Sequence, residues 1–192
     1  MKANDIVLCA LFAALMAVGA NVSSFLMIGG VPVTLQLMFA MIAGGLLGSR
    51  LGALSMTAYL FIGLAGAPVF AQFKGGPASL LSPTFGFILS FILVAYASGK
   101  ILENRHKKTA YLFAGIAAIF FNYMIGTNYM YAAFKWWADA PDGFSYAAAW
   151  SWMAAYLPLD LAVTVLSLAA IPKIQAALRH RGLKSSNSQK VM

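Results

Sequence analysis

The sequence holds few side chains that could carry out acid, base or metal chemistry, and one carboxylate stands apart from the rest. Asp and Glu together number 5 in 192 residues, against 13 Lys and Arg. Asp160 follows Leu157-Pro158-Leu159 at the start of a long apolar run, and proline suits the first turn of a helix. Asp160 is therefore predicted in a first helical turn, near the positive end of the helix dipole. It is either a simple first-turn acid or an acceptor for N–H groups of a ligand.

The other titratable groups do not suggest an enzyme or a metal centre. His106 and His180 lie in basic segments, so the apolar segments offer no metal ligand set and no Ser–His pair. Asp139 and Asp142 have no partner carboxylate at a useful spacing. The sequence contains no G-x-x-x-x-G-K-[ST] motif, which would be expected of a chain that hydrolyses ATP. We therefore expect no enzyme, no cofactor and no primary or ion-coupled pump.

The elements that must position Asp160 are membrane helices. Hydrophobic residues make up 61% of the chain and charged residues 9%, whereas soluble domains carry roughly a quarter charged residues. A bilayer core of about 30 Å needs about 20 apolar residues per helix. The apolar stretches are 6–28, 33–48, 51–67, 84–102, 110–133 and 158–176. They predict an all-α integral membrane protein with six transmembrane helices in one domain over 1–192. A re-entrant hairpin over 33–67 is the alternative for the two shortest stretches.

Basic residues are unevenly distributed between the connections. All but two of the 13 Lys and Arg residues lie on one side, and only Lys74 and Lys135 lie on the other. Short loops that carry Lys and Arg stay in the cytoplasm. The bias predicts cytoplasmic N- and C-termini, a basic cytoplasmic tail over about 177–192, and a multi-pass location in the cell membrane. The net charge of +8 then reflects attraction to anionic lipid rather than nucleic-acid binding.

The connections opposite the basic side are longer and carry many aromatic and proline residues. The two main ones are 68–83 and 134–157. Their aromatic side chains form either a belt at the membrane surface or the walls of an outward-opening pocket for an amphipathic ligand. The asymmetry between the two sides favours a site that opens outward.

Polar side chains within the apolar segments are candidates for such a site. Thr34 and Gln36 lie at the start of the second segment, and Asn122, Tyr123 and Asn128 lie in the fifth. Hydrogen bonding between helices is the usual role of these groups in membranes, and ligand binding is the alternative.

Small residues recur at four-residue spacing in the first three segments. Gly44, Gly48 and Gly52 would place bare backbone on one stripe and permit close helix packing within the bundle. The first helix carries two adjacent alanine stripes, Ala10 with Ala14 and Ala13 with Ala17. The alanines either pack inside the bundle or face a partner protein.

Several short motifs gain specificity in combination and extend over nearly the whole chain. They are Val31-Pro32-Val33-Thr34-Leu35-Gln36, Ala43-Gly44-Gly45-Leu46-Leu47-Gly48, Tyr59-Leu60-Phe61-Ile62-Gly63, Gly66-Ala67-Pro68-Val69-Phe70, Ser82-Pro83-Thr84-Phe85-Gly86-Phe87 and Leu157-Pro158-Leu159-Asp160. In this combination the sequence resembles the BioY family of biotin-transporter S-components.

The resemblance implies a six-helix capture subunit that binds biotin from outside and works with a membrane coupling protein and two ATPase subunits. It adds Thr84, from the fifth motif, to the candidate ligand-binding residues. Because energy use would lie in the partners, a smooth stripe on the first helix is expected to contact the coupling protein. The alternatives are a capture subunit for another small vitamin, or a structural or assembly membrane protein without a ligand.

One position departs from what the resemblance implies. It leads us to expect Lys three residues after Asp160, on the same helical face, and this chain has Val163. If a Lys at that position contacts the ligand, then Lys74 or Lys135 supplies the cation here, or the affinity or the ligand has changed.

Overall fold

The computed structural model describes residues 1–23, 27–28, 31–103 and 108–180, with backbone only at 27–28 and 179–180. The predictions that fall on the remaining residues lie outside the described part of the chain. They include the basic residues around His106 and most of the predicted basic tail.

The described residues are mostly helical, which confirms the all-α prediction. The elements are α1 (Ala3–Asn21), β1 (Met27–Ile28), β2 (Val31–Pro32), α2 (Gln36–Leu47), α3 (Ser49–Leu64), α4 (Phe85–Leu102), α5 (Lys108–Trp136), α6 (Tyr146–Ala154) and α7 (Leu157–His180). The strands β1 and β2 pair in an antiparallel hairpin. Two short 3-10 helices, Ala71–Phe73 and Pro77–Leu81, lie between α3 and α4.

Within the described residues, four helices are long and apolar enough to cross a membrane. They are Ala3–Asn21, Phe85–Leu102, Lys108–Trp136 and Leu157–Leu178. The helices α2 and α3 have 12 and 16 residues. At 1.5 Å per residue, α2 is about 18 Å long, which is shorter than a hydrocarbon core of about 30 Å. The chain is a multi-pass membrane protein. The predicted number of six spans is reached only if the short helices α2 and α3 are counted as spans.

Two element boundaries differ from the sequence prediction. The helix α7 continues through Pro172 to His180, so the first residues of the predicted tail are helical. The predicted outer connection 134–157 contains a helix, α6, whose N-terminus is capped by Ser145: the Ser145 hydroxyl accepts a hydrogen bond from the backbone N–H of Ala148 at 3.1 Å.

The short apolar helix α2 lies at the centre of the bundle. It packs against α1, α3, α4 and α7, and Leu37, Ala40, Met41 and Ala43 are buried. A helix that is apolar on every side is expected where other helices surround it. By contrast, α5 turns a row of large apolar side chains outward, and Phe113 and Phe120 are each more than half exposed. That face is suited to contact with lipid.

The predicted glycine stripe is divided between two helices. Gly48 has a φ of 85° and ends α2, so Gly44 and Gly52 lie on different helices. They still meet, because a Cβ on Gly52 would lie 2.8 Å from the Gly44 Cα. A Cβ on Gly44 would also lie 2.2 Å from the Ala95 carbonyl oxygen of α4. The prediction that these glycines allow close packing within the bundle is confirmed. They do so from two different helices that meet, and not as a stripe on a single helix.

The turn between α2 and α3 is held by a carboxylate from the end of α4. Glu103 Oε1 accepts hydrogen bonds from the backbone N–H and the hydroxyl of Ser49, each at 2.6 Å. The negative charge lies at the N-terminus of α3, where the helix dipole favours it. Ser49 is buried at this contact.

Candidate ligand-binding site

A cavity of about 820 Å³ lies at the end of the bundle where α2, α4 and α7 begin. Its wall is completed by the C-terminal half of α5, by α6 and by the connection between α3 and α4. A volume of several hundred Å³ is typical of sites for small organic molecules. The cavity therefore has the size and enclosure of a ligand site.

Asp160 reaches this cavity from the first turn of α7. Its backbone N–H donates to the Tyr156 carbonyl at 3.0 Å, and its predicted first-turn position is confirmed. The Asp160 Oδ2 accepts a hydrogen bond from the Tyr123 hydroxyl at 2.8 Å. In the described part of the chain, Tyr123 is the side chain that donates to this carboxylate. None of the described side chains donates to the other carboxylate oxygen.

Tyr123 contacts Asp160 but is not among the residues that line the cavity. The residue is 7% exposed and belongs to a second apolar cluster with Met130, Met153 and Tyr156. The preceding residue, Asn122, does line the cavity. The two side chains differ because consecutive residues of a helix point in different directions. The hydroxyl of Tyr123 therefore contacts the cavity through the Asp160 carboxylate, which it bonds, and direct binding of a ligand by Tyr123 stays a prediction.

Asn122 and Gln36 line the cavity with amides that other side chains hold in place. The Asn122 Oδ1 accepts a hydrogen bond from the Ser90 hydroxyl at 2.9 Å. The Gln36 Nε2 donates to the Tyr59 hydroxyl at 2.9 Å, and that hydroxyl donates to the Val69 carbonyl at 2.9 Å. These bonds reduce the rotational freedom of both amides at the cavity surface.

The hydroxyls of Thr34 and Thr84 complete the predicted polar set. Both residues line the cavity, Thr34 just before α2 and Thr84 at the N-terminus of α4. The Thr84 Oγ1 lies 3.0 Å from the Ser82 Oγ. The structure thus brings Thr34, Thr84, Gln36, Asn122 and Asp160 to one cavity, from segments far apart in the sequence.

The rest of the wall is largely aromatic. Phe134 of α5 and Trp152 of α6 line the cavity and meet edge to face, with ring centroids 6.2 Å apart. Phe70 and Phe85 line another part of it with centroids 6.3 Å apart. Part of the aromatic set of the outer connections therefore forms a pocket, whereas Trp136 is 69% exposed and lies outside it.

Sequence reasoning missed most of the aromatic contribution of α4. Phe85, Phe87 and Phe91 line the cavity, although they lie in a run that is apolar throughout. A continuous apolar run has no contrast between faces, so its pattern cannot show which side chains meet a cavity.

The two outer lysines have different surroundings. Lys74 lines the cavity. The Lys135 Nζ lies 5.8 Å from the centre of the Tyr131 ring and 5.9 Å from that of Trp136, and Lys135 does not line the cavity. Val163, at the position where Lys was expected, is 4% exposed and packs in the main core.

The wall segment that carries Lys74 contains an unusual turn. Gln72 and Phe73 have φ values of 61° and 55°, in a region that residues other than glycine rarely adopt. The Phe70 N–H donates to the Lys74 carbonyl at 2.9 Å across this turn. Asn21, at the end of α1, accepts a hydrogen bond from the Phe73 N–H at 2.7 Å. Surrounding contacts of this kind are needed to maintain such a conformation.

The alanines of α1 divide between the inside and the outside of the bundle. Ala10 and Ala14 are exposed, and Ala17 is half-buried. Ala13 is 5% exposed and packs in the main core. The Ala13 side chain is therefore enclosed by neighbouring helices, and its contact with a partner stays a prediction.

A multi-pass helical protein with a polar and aromatic cavity at one end of its bundle has the features of the membrane proteins that bind small molecules. Comparison with known proteins gives the family. The model of the BioY family matches residues 1–180, and the chain belongs to that family.

Curated relatives match most of the chain. It is 41% identical over 183 residues to the putative biotin transporter BioYB of Bacillus subtilis, covering 93% of this chain and 90% of that protein. It is 33% identical over 173 residues to the biotin transporter BioY of Rhodobacter capsulatus, covering 85% and 89%.

A solved structure shares the fold. It is the S-component for biotin from an ECF-type ABC transporter, which matches with a TM-score of 0.77 at 22% sequence identity. The match covers 92% of this chain and 95% of the solved chain.

Proposed function

We propose that this chain is the biotin-capture subunit of an uptake transporter in the plasma membrane. The observation that carries the proposal is the Asp160 carboxylate, oriented by Tyr123 and facing a cavity of about 820 Å³ with aromatic walls. Membership of the BioY family, whose relatives are named as transporters, supports transport rather than catalysis.

The chemistry of biotin matches the polar groups of the cavity. Biotin carries a ureido ring with N–H donors, an apolar sulfur-containing ring, and an alkyl chain that ends in a carboxylate. The free oxygen of Asp160 accepts a ureido N–H, and a charge-assisted hydrogen bond of this kind is stronger than a neutral one. Asn122, Gln36, Thr34 and Thr84 supply the remaining polar contacts.

The apolar rings of biotin would lie against the aromatic wall. Phe134 and Trp152 meet edge to face at the cavity surface, so their positions are set before a ligand enters. A preformed apolar wall reduces the ordering cost of binding. The Asp160 carboxylate and this wall together favour a ligand that is polar at one end and apolar in the middle.

The proposed topology has both termini in the cytoplasm and six spans, formed by α1, α2, α3, α4, α5 and α7. The helix α6 then lies on the outer side, over the cavity. The distribution of Lys and Arg supports this orientation. The proposed orientation opens the cavity to the outside, from which biotin is captured.

Delivery to the cytoplasm requires partners: a membrane coupling protein and two ATPase subunits. The sequence has no P-loop motif for ATP, which supports a division between capture and energy use. The face of α1 that carries Ala10 and Ala14 is exposed, and small side chains permit close approach of a partner helix. We place the coupling contact there.

The test is ligand binding by the purified full chain in detergent. Isothermal titration and thermal stabilisation are measured with biotin and with a panel of other small vitamins. We expect saturable binding of biotin and a raised melting temperature with biotin alone. Binding of a different vitamin would identify another capture subunit, and no binding by any vitamin would leave a structural or assembly role.

A further inference from the structure

We infer that Lys74 binds the carboxylate at the tail of the ligand and thereby selects ligands with an anionic end. This inference rests on the proposed function and assigns a second polar contact within the same cavity. The sequence offered Lys74 and Lys135 as alternative cations for the ligand, and of these two Lys74 lines the cavity.

The first support is the charge inventory of the cavity wall. Among the described lining residues, the acidic and basic side chains are Lys74, Asp139 and Asp160. Lys74 is the cation of this set. A ligand carboxylate in the cavity therefore meets either repulsion from an aspartate or attraction to Lys74.

The second support is that nothing in the described part of the chain neutralises Lys74. The Asp160 carboxylate is bonded by Tyr123 instead, and no ion pair joins the Lys74 ammonium to a described carboxylate within 4.0 Å. The other outer lysine, Lys135, is placed over two aromatic rings. The Lys74 ammonium remains available to an anion.

The third support is the backbone that carries Lys74. It directly follows the two left-handed residues Gln72 and Phe73, and its carbonyl accepts the Phe70 N–H at 2.9 Å. Phe70 is 3% exposed and anchors this turn in the core. An unfavourable conformation held by buried contacts is a feature of ligand-binding segments, and here it sets where the lysine stem begins.

The test compares two ligands on two variants of the full chain. Biotin and biotin methyl ester, which lacks the negative charge, are titrated into the wild type, Lys74→Gln and Lys135→Gln. In the wild type we expect the ester to bind about three- to tenfold more weakly than biotin, the range expected for an exposed charge contact. Lys74→Gln should lose that factor for biotin and bind the ester as the wild type does.

The control variant and the ionic strength sharpen the test. Lys135→Gln removes the same charge outside the cavity and should keep the preference for biotin. Added salt screens exposed charges, so it should weaken biotin binding to the wild type and leave Lys74→Gln nearly unchanged. Unaltered ester binding by Lys74→Gln shows that this variant is folded.

Two contrary results are distinguishable. If the wild type binds biotin and Lys74→Gln keeps the full preference over the ester, the inference is wrong while the proposed function stands. The carboxylate would then be bound elsewhere, for instance at the N-terminus of α4. If the wild type binds neither ligand, the proposed function itself fails.

Discussion

The side-chain oxygen of Asn21, in the last turn of α1, accepts a 2.7 Å hydrogen bond from the backbone N–H of Phe73 in the cavity wall. The same amide donates to the Ala17 carbonyl at 2.9 Å, and Asn21 is 8% exposed. The helix that exposes Ala10 and Ala14 thus holds the turn that precedes Lys74. A shift of α1 relative to the bundle would move this part of the wall.

Asn21→Ala should loosen that turn, because it leaves the Phe73 N–H without its acceptor. We expect faster amide hydrogen exchange over 69–76 and weaker biotin binding, with a stability loss of about 0.5–1.5 kcal/mol for one lost hydrogen bond. Asn21→Asp is the matched control, since it keeps the acceptor oxygen and should protect the turn better. Equal exchange in wild type and Asn21→Ala would show that the turn is held by its other contacts.

Asp160→Ala should weaken biotin binding by roughly 1.5–3 kcal/mol, the usual contribution of a hydrogen bond to a charged group. Asp160→Asn retains an acceptor oxygen without the charge and should lose less. Tyr123→Phe, which removes the orienting hydroxyl, should lose about 0.5–1.5 kcal/mol. Titration calorimetry on the purified variants measures all three affinities. Unchanged affinity in Asp160→Ala would show that Asp160 is only an acidic residue of the first helical turn, without a role in binding.

Ala14→Trp should abolish ATP-dependent biotin uptake and co-purification with the coupling protein while biotin binding is retained. Ala14 is exposed, so the indole would hold a partner helix away without disturbing the bundle. Ala13→Trp provides the contrast, because Ala13 is 5% exposed and overpacking of a core destabilises the fold. Loss of binding together with uptake in Ala14→Trp would place the partner surface elsewhere.

Orientation can be measured with single cysteines in a Cys9→Ser background. Asp142 and Thr109 are exposed and belong to opposite sides of the proposed topology. Asp142→Cys should react with an impermeant thiol reagent in intact cells, and Thr109→Cys only after permeabilisation. Ser49, in the connection between α2 and α3, is not a suitable labelling position, because it is buried against Glu103. Labelling of Thr109→Cys in intact cells would reverse the orientation inferred from the positive charges.

Gly44→Ala should lower the melting temperature of the purified protein. The new Cβ would lie 2.2 Å from the Ala95 carbonyl oxygen, so α2 and α4 would have to separate, at a cost of about 1–3 kcal/mol. Gly115→Ala is the control, because its Cβ would meet only the ends of the Leu168 and Thr164 side chains, at 3.0 Å. Similar melting temperatures for both variants would contradict close packing at Gly44.

Several features of this protein could be predicted from local sequence. The apolar runs indicated a membrane protein made of helices, because the hydrophobic length of each run depends only on its own residues. Pro158 and the apolar run after it placed Asp160 in a first helical turn, as the structure confirms. The spacing of small residues indicated close helix packing, which the contact between Gly44 and Gly52 confirms.

Other features depended on contacts between distant segments, and only the tertiary structure decided them. Tyr123 and Asn122 are adjacent in the sequence, yet one bonds Asp160 from behind and the other lines the cavity. Ala13 and Ala14 divide in the same way between core and surface. A helix turns by about 100° per residue, so adjacent side chains face different neighbours.

The cavity itself was the least predictable feature, because its wall joins residues from β2 to α7. Lys74 and Lys135 are equivalent in charge and in predicted side of the membrane, but only Lys74 lines the cavity. The sequence by itself determined which segments are apolar enough to form membrane helices and which groups are polar. The packing of α2, α4, α5 and α7 decided which of those groups meet, since side-chain proximity across a bundle is set by how helix faces fit together.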